Sequence, residues 1–249
     1  MVGLLYPDIY KSATPNWIAQ TVVQDGVDLF LIVPVLTVAA LYSFQGIKLA
    51  LLMWGGTVTY VVYTFLIYCF SVHFNVLFPG YCLVLGLAVF SLLWFTVTQL
   101  RAPVVSKPAS RVVVRITGIY FIAVSVGFYA LWLADVIPAV LSNQVPKAII
   151  EAGLMTNPVQ AIDLSVFLPV IFVAGIMALQ AKPLVVILIP VLLIFLVLMD
   201  ITICVLTIVM GQNGLGGSPV VALGSGILGL LSMVLLIVFV SSNSDELSN

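Results

Sequence analysis

Seven apolar runs constrain what this chain can fold into more than any other feature of its sequence. They lie near residues 28–44, 49–70, 77–99, 112–135, 160–180, 184–210 and 219–240. A helix of about 20 apolar residues crosses the hydrocarbon core of a bilayer, where backbone polar groups must find their partners within the protein. The pattern therefore predicts an all-α, polytopic transmembrane helical bundle of seven spans.

The composition excludes a soluble globular protein. Of the 249 residues, 63% are hydrophobic and only 7% are charged, whereas a soluble domain has about 45–50% apolar and about 25% charged residues. The formal net charge of -1 gives no indication of a nucleic-acid partner. We predict one integral membrane domain over 1–249, with an amino-terminal segment at 1–27 that carries an interfacial helix, the bundle at 28–240 and a tail at 241–249.

The basic residues predict how the bundle lies in the bilayer. Lys11 and Lys147 fall on the side of the amino terminus. The opposite side holds Lys48, Arg101, Lys107, Arg111, Arg115 and Lys182. Because Lys and Arg collect in cytoplasmic loops, we expect the amino terminus outside and the carboxyl terminus inside, with Asp245 and Glu246 of the tail. The absence of an Asn-x-Ser/Thr glycosylation site fits a prokaryotic cell membrane.

Most acidic residues fall on the predicted outer side, together with the only histidine. The candidate ligand- or ion-binding residues there are Asp28, His73, Asn75, Asp135, Asn157 and Asp163. Span ends that bring carboxylates and an imidazole to one depth would suit an ion, a proton or a cationic ligand. The alternative is that charges are simply tolerated at span ends, and both interpretations stay open. The spacing of these residues does not indicate a metal site.

The amino-terminal segment has the signals of a helix that continues into the first span. Thr14-Pro15 is an N-cap followed by proline at the first helical position. Gln20, Gln24 and Asp28 recur at intervals of four residues and so form one polar stripe. The helix is expected either to lie on the outer leaflet with this stripe facing water or to turn the stripe inward over the mouth of the bundle.

Asp200 lies deep in the sixth apolar run. A charged residue at the middle of a spanning helix costs about 2.5–3.5 kcal/mol on insertion scales, so it is expected to face the interior of the bundle. No Lys or Arg lies mid-span to pair with it. We interpret Asp200 either as an intramembrane relay or as a protonated acid that is hydrogen-bonded to a neighbouring helix.

The sequence lacks the residue types that several activities of seven-helix proteins require, and this excludes those activities. The last run has no lysine for a retinal Schiff base, and one histidine cannot supply a zinc site or paired haem ligands. The sequence contains no phosphate-binding loop, no Gly-x-Ser-x-Gly and no Cys-x-x-Cys. We therefore predict no cofactor and assign no catalytic residue.

Three short patches carry a resemblance. They are Trp17-Ile18-Ala19-Gln20 through Asp25 to Asp28-Leu29, Val72-His73-Phe74-Asn75-x-Leu77-Phe78, and Thr156-Asn157-Pro158 through Asp163-Leu164. Together they resemble an uncharacterised family of prokaryotic membrane proteins with about seven spans. The resemblance implies a multi-pass membrane protein without an established activity, so it gives no residue a functional role. Asp200 lies outside these patches.

Three hypotheses about function follow from these patterns. The first is a carrier, channel or sensor that binds or moves an ion or small molecule at the extracytoplasmic mouth of the bundle. The alternative is an accessory or assembly subunit that packs against a partner subunit, or a second copy of the chain, through small residues such as Gly226 and Gly229. An enzyme that uses His73 and carboxylates as acid and base comes third. The sequence has no evident internal repeat of the kind that many transporters contain.

Overall fold

The protein is a bundle of seven long helices. A computed structural model describes residues 5–103, 105 and 110–243, and in this part of the chain all regular structure is helical. The helices are α1 (Pro15–Phe44), α2 (Lys48–Ser71), α3 (Phe78–Arg101), α4 (Arg111–Ser142), α5 (Pro158–Leu179), α6 (Val185–Gln212) and α7 (Pro219–Ser241). All seven are long and apolar enough to cross a membrane, which confirms the predicted number. Lys107, Asp245 and Glu246 lie outside the described residues.

Local sequence signals explain where several helices begin. The Thr14 hydroxyl accepts a hydrogen bond from the amide of Trp17, with Pro15 at the first helical position. At the start of α5 the Asn157 side chain accepts from the amides of Val159 and Gln160. Both caps satisfy amides that have no partner within the first turn of a helix. The cap predicted at Thr14 is therefore confirmed.

Two helices are longer than their apolar runs. α1 begins at Pro15, so the amino-terminal helix and the first span are one continuous element. The fourth span was expected to end at Asp135, before Pro138, but α4 continues to Ser142. That expectation is wrong because one proline removes only one backbone donor, and the exposed last turns accommodate it. The helix ends at Asn143, which adopts a left-handed conformation with φ 52°.

The centre of the bundle is formed by α2 and α6, which are the most deeply buried spans. They meet at Gly56, where a Cβ atom would lie 2.6 Å from the Ile194 Cβ and 2.7 Å from the Val191 carbonyl oxygen. Only a residue without a side chain allows the two backbones to come this close. Gly56 therefore fixes the central contact of the fold.

A second close contact joins α4 and α5. A Cβ atom on Gly118 would lie 2.9 Å from the Gly175 carbonyl oxygen, and one on Gly175 would lie 2.8 Å from the Gly118 carbonyl oxygen. Gly127, on the opposite side of α4, has open space around it. The α4–α5 contact thus depends on a reciprocal pair of glycines.

The amino-terminal segment lies against two of the connecting loops. The Thr14 hydroxyl donates a hydrogen bond to the Ala152 carbonyl at 3.1 Å, at the end of the short helix Lys147–Ala152. The Asn16 amide donates to the Leu215 carbonyl at 3.0 Å, in the loop before α7. We call this end of the bundle the amino-terminal face. The turns at 45–47 and 180–184 lie at the opposite face.

Candidate functional site

A cavity of about 510 Å³ lies in the half of the bundle next to the amino-terminal face. Six of the seven spanning helices contribute to its lining, and α3 contributes nothing. Most of the lining is apolar or aromatic, as at Phe128, Phe167 and Phe195. A volume of this size and a mainly apolar wall are typical of sites for small organic molecules.

Two of the helices that begin at the amino-terminal face, α1 and α5, are interrupted beside this cavity. Each contains one π-helical stretch, Asp28–Ile32 in α1 and Asp163–Phe167 in α5. At the end of each stretch an amide donates to the carbonyl of the aspartate five residues earlier. The next residues are Pro34 and Pro169, which have no amide hydrogen and so disturb the regular α-helical bonding. Such π turns are frequent at functional sites.

Asp163 joins three helices at the wall of the cavity. The Tyr63 hydroxyl donates to its Oδ1 at 3.0 Å, and the Trp132 indole N–H donates to its Oδ2 at 2.9 Å. Nearby, Gln160 donates to Asp135 Oδ2 at 2.7 Å, which ties α5 to α4. Both oxygens of Asp163 are therefore satisfied by neutral donors, and the residue fixes α2, α4 and α5 relative to one another.

A second hydrogen-bonded chain runs from α1 through α2 to α6. Gln24 donates to Asp28 Oδ1 at 2.9 Å and to the Tyr60 hydroxyl at 2.8 Å. The Tyr60 and Thr202 hydroxyls lie 2.9 Å apart, and Thr202 donates onward to the Leu198 carbonyl. Gln24, Tyr60 and Thr202 line the cavity, whereas Asp28 stands behind Gln24. The polar stripe on α1 therefore faces into the bundle.

Asp200 is the cavity acid without a partner. Its side chain is 5% exposed, and the buried Oδ2 atom receives no hydrogen bond. A Cβ atom on Gly229 of α7 would lie 3.1 Å from the Asp200 Cβ, so the glycine leaves room for this acid. Among the described residues that line the cavity there is no Lys, Arg or His. Burying an ionised acid without a partner costs free energy, and no described residue of the cavity lining offsets this cost.

One hydrogen-bond donor on the cavity wall is also free of a partner. The indole N–H of Trp17 is buried and makes no hydrogen bond, although Trp17 lines the cavity near the amino-terminal face. Buried polar groups in proteins nearly always find a partner. The residues that line the cavity therefore include one with an unsatisfied buried acceptor, Asp200, and one with an unsatisfied buried donor, Trp17.

The other sequence-predicted residues lie outside the cavity. Asn75 donates to the His73 carbonyl at 3.0 Å and accepts from the Leu77 amide at 2.9 Å, so it shapes the turn between α2 and α3. Asn157 caps α5. Of the six candidate ligand residues, Asp135 and Asp163 line the cavity, and the histidine does not. The described residues contain no group of three or more His, Cys, Asp or Glu side chains arranged to hold a metal ion.

The tyrosines of α2 are the site residues that sequence reasoning missed. Besides Tyr60 and Tyr63, the Tyr68 hydroxyl donates to the buried Asp25 at 2.8 Å. Tyr10 donates to the same carboxyl at 3.0 Å. Burial raises the pKa of Tyr10 far above its usual value, and the contacts with Tyr81 and Asp25 add to this rise, so its hydroxyl stays a donor. The sequence feature that could have identified them is the presence of three tyrosines on one span, next to spans that carry acids.

No protein-family model, curated protein or solved structure matches this chain. The argument for function therefore rests on the chemistry of the cavity. Its essential features are a volume fit for an organic molecule, an apolar and aromatic wall, and one buried acid without a partner.

Proposed function

We propose that the protein binds a small organic cation in this cavity, with an ammonium group at Asp200 and an apolar body against the aromatic wall. The observation that carries the proposal is the unpartnered Oδ2 of Asp200 in a cavity whose described lining has no basic side chain. A cation placed there would offset the cost of a buried carboxylate that nothing else pairs.

The rest of the lining favours an organic cation over a metal ion. Hard metal ions require several oxygen ligands in a closed shell, and the described residues offer no cluster of that kind. Tyr60 and Phe195 line the same cavity as Asp200. The faces of aromatic rings attract ammonium groups and are the usual partners of quaternary amines. The free indole N–H of Trp17 would suit an acceptor group, such as a hydroxyl or carbonyl, elsewhere on the ligand.

The ligand enters this cavity from outside the cell in our proposal. Lys48, Arg111, Arg115 and Lys182 belong to the face opposite the cavity. A positive bias in short loops marks the cytoplasmic side of a bundle. The amino-terminal face would then be extracytoplasmic, with the chain in a prokaryotic cell membrane, as expected from the sequence.

Thermal unfolding of the detergent-purified protein tests the proposal with two matched probes. Benzyltrimethylammonium has the charge and the aromatic body that the cavity calls for, and neopentylbenzene is its neutral carbon analogue. We expect the cation to raise the Tm and the neutral analogue to have little effect. A ligand at 100 times its Kd stabilises the folded state by about 2.7 kcal/mol.

Two substitutions distinguish Asp200, which would bind the cation, from Asp163, which holds the helices together. Asp200→Asn keeps the size of the side chain and is expected to abolish the shift caused by the cation. Asp163→Asn is the matched control, because Asp163 already receives hydrogen bonds from Tyr63 and Trp132. This control is expected to lower the Tm of the protein alone but to preserve most of the cation-dependent shift.

Three results would contradict the proposal. They are equal shifts with both probes, no shift with the cation, and a full shift in Asp200→Asn. Failure of the cation to stabilise the wild-type protein would favour the accessory-subunit hypothesis, in which the spans serve a partner and not a ligand.

A further inference from the structure

The backbone of the chain repeats itself at a fixed interval. The π turn of α5 begins at Asp163, which follows Asp28 at the start of the π turn of α1 by 135 residues. Pro169 follows Pro34 by the same 135 residues. Two identical interruptions at one interval are unlike the scattered kinks that independent prolines would give.

The ends of these two helices match at the same interval. Gln45 after α1 has φ −83° and ψ 2°, and Gln180 after α5 has φ −83° and ψ 0°. The next residues, Gly46 and Ala181, both have positive φ, at 84° and 53°. An alanine in this conformation is uncommon, so its presence at the position that matches a glycine shows that the turn itself is repeated.

The hydrogen bonds that close the two turns are also equivalent. In each turn one amide reaches back three residues and the next amide reaches back five, as in a Schellman motif. The four bonds are Gly46 to Ser43 at 3.0 Å, Ile47 to Tyr42 at 3.2 Å, Ala181 to Ala178 at 3.1 Å and Lys182 to Met177 at 3.0 Å. Every donor and acceptor in the second turn lies 135 residues after its counterpart in the first.

The packing of the other spans continues the correspondence. α2 and α6 follow the repeated turns and are the two most buried spans. α3 and α7 then begin with Pro79 and Pro219 in their first turns and pack against α2 and α6, respectively. We call α1–α3 the first unit and α5–α7 the second unit. With α4 as the single connecting span, both units enter the bilayer in the same direction.

We infer that the chain is two copies of a three-helix unit, related by an axis along the membrane normal, and that these units rock against each other to carry the cation across the membrane. This inference rests on the proposed function for its ligand. Parallel repeats, interrupted helices in corresponding positions and a ligand site between the repeats are the features that carriers use for alternating access. The cavity lies between the two units, with α4 closing one side.

The contact at Gly56 is the gate in this arrangement. Gly56 of the first unit and Ile194 and Val191 of the second seal the bundle between the cavity and the opposite face. Opening toward that face requires these two helices to separate there, while the amino-terminal ends of the units approach. The π turns at Asp28 and Asp163 allow α1 and α5 to bend as this happens, because their local hydrogen bonding is already irregular.

Distances between spin labels on the two repeated turns test the motion. Gln45 and Gln180 are exposed, belong to different units and occupy equivalent positions. We would replace both by cysteine in a variant without the three native cysteines, Cys69, Cys82 and Cys204, in lipid nanodiscs. We expect two populations, one with a shorter and one with a longer Gln45–Gln180 distance. Their relative amounts are expected to change when benzyltrimethylammonium is added. The matched control is Gln45→Cys with Ala102→Cys, both in the first unit, which is expected to give one unchanged distance.

A wedge at the gate gives an independent readout that needs no ligand. The added methyl of Gly56→Ala would meet Ile194 and is expected to increase the population with the longer Gln45–Gln180 distance, without affecting the control pair. Gly86→Ala, at a glycine with open space around it, is expected to change neither pair. A single distance that neither the wedge nor the probe changes would overturn the inference. If that happened while the cation still raised the Tm, the proposed cation binding would be supported and the inferred transport would be contradicted.

Discussion

At the scale of single residues, three acids inside the bundle have three different kinds of surroundings. Asp25 receives two tyrosine hydroxyls, Asp163 receives a hydroxyl and an indole, and Asp200 receives nothing at its buried oxygen. Removing a partner from a buried polar group costs more than the hydrogen bond itself contributes. The first two acids are therefore built into the architecture, and the third is the one to which we propose that a ligand binds.

Asp25→Asn is expected to destabilise the protein without affecting cation binding. The amide would turn a donor toward one of the two hydroxyls of Tyr10 and Tyr68, where the carboxyl accepts from both. We expect a loss of about 1–3 kcal/mol in the free energy of unfolding, measured as a lower Tm. Tyr10→Phe removes one donor only and is expected to cost less. A Tm of Asp25→Asn equal to that of the wild type would contradict this structural role.

Sequence reasoning could identify acids that matter but not what each one does. Asp200 was singled out because a charge at mid-span is costly, and this needs no knowledge of neighbours. The separation of Asp163 from His73 was not predictable, because residues at one depth can face the cavity, a turn or the lipid. Asp28 and Asp163 also look alike in sequence, but only the second lines the cavity.

At the scale of helices, small residues act only where a backbone approaches them. Gly118 and Gly127 both lie on α4, yet only Gly118 meets another helix, at Gly175 and Ala178 of α5. Composition alone does not distinguish the two positions. The tertiary contact does.

Gly118→Ala is expected to lower the free energy of unfolding by about 1–3 kcal/mol, the usual cost of forcing extra volume into a packed contact. Gly127→Ala is the matched control on the same helix and is expected to leave the Tm unchanged or slightly higher, because alanine favours the helix. Thermal unfolding in one detergent measures both. Equal effects of the two substitutions would show that the α4–α5 contact has room for a methyl group at Gly118.

The repeat between α1 and α5 shows why an internal repeat can escape sequence inspection. At the interval of 135 residues, Asp28-Leu29, Pro34-Val35, Val38-Ala39 and Gln45 recur as Asp163-Leu164, Pro169-Val170, Val173-Ala174 and Gln180. These identities are easily overlooked because four of the seven are small or branched apolar residues within apolar runs. Backbone features persist because a proline at a given place and a turn with positive φ restrict conformation whatever the other side chains are. The match between α1 and α5 was therefore available in the sequence, and the π turns show it again in the backbone.

At the scale of the whole molecule, the number of spans was predictable and their arrangement was not. Bilayer thickness sets the length of an apolar run, which is why all seven spans were found. In lipid, however, a side chain that faces a neighbouring helix can be as apolar as one that faces the bilayer. The sequence therefore could not show that α2 and α6 occupy the centre while α3 stays outside the cavity.

The orientation of the molecule is testable with two single cysteines in the variant without native cysteines. Met155 is 98% exposed in the loop before α5, and Gln45 is exposed at the opposite face. We expect a membrane-impermeant maleimide to label Met155→Cys in intact cells and Gln45→Cys only after lysis. The reverse pattern would place the cavity mouth in the cytoplasm.

The connecting span α4 has a consequence for stoichiometry. Two separate copies of a three-helix unit would be identical, so an acid present in one would be present in both. Joined in one chain, the copies are free to differ, and the interval of 135 residues pairs Asp200 of the second unit with Phe65 of the first. The fused molecule thus has one acid where a symmetric dimer would have two. If the proposed function holds, one positive charge per chain is the expected capacity of the cavity.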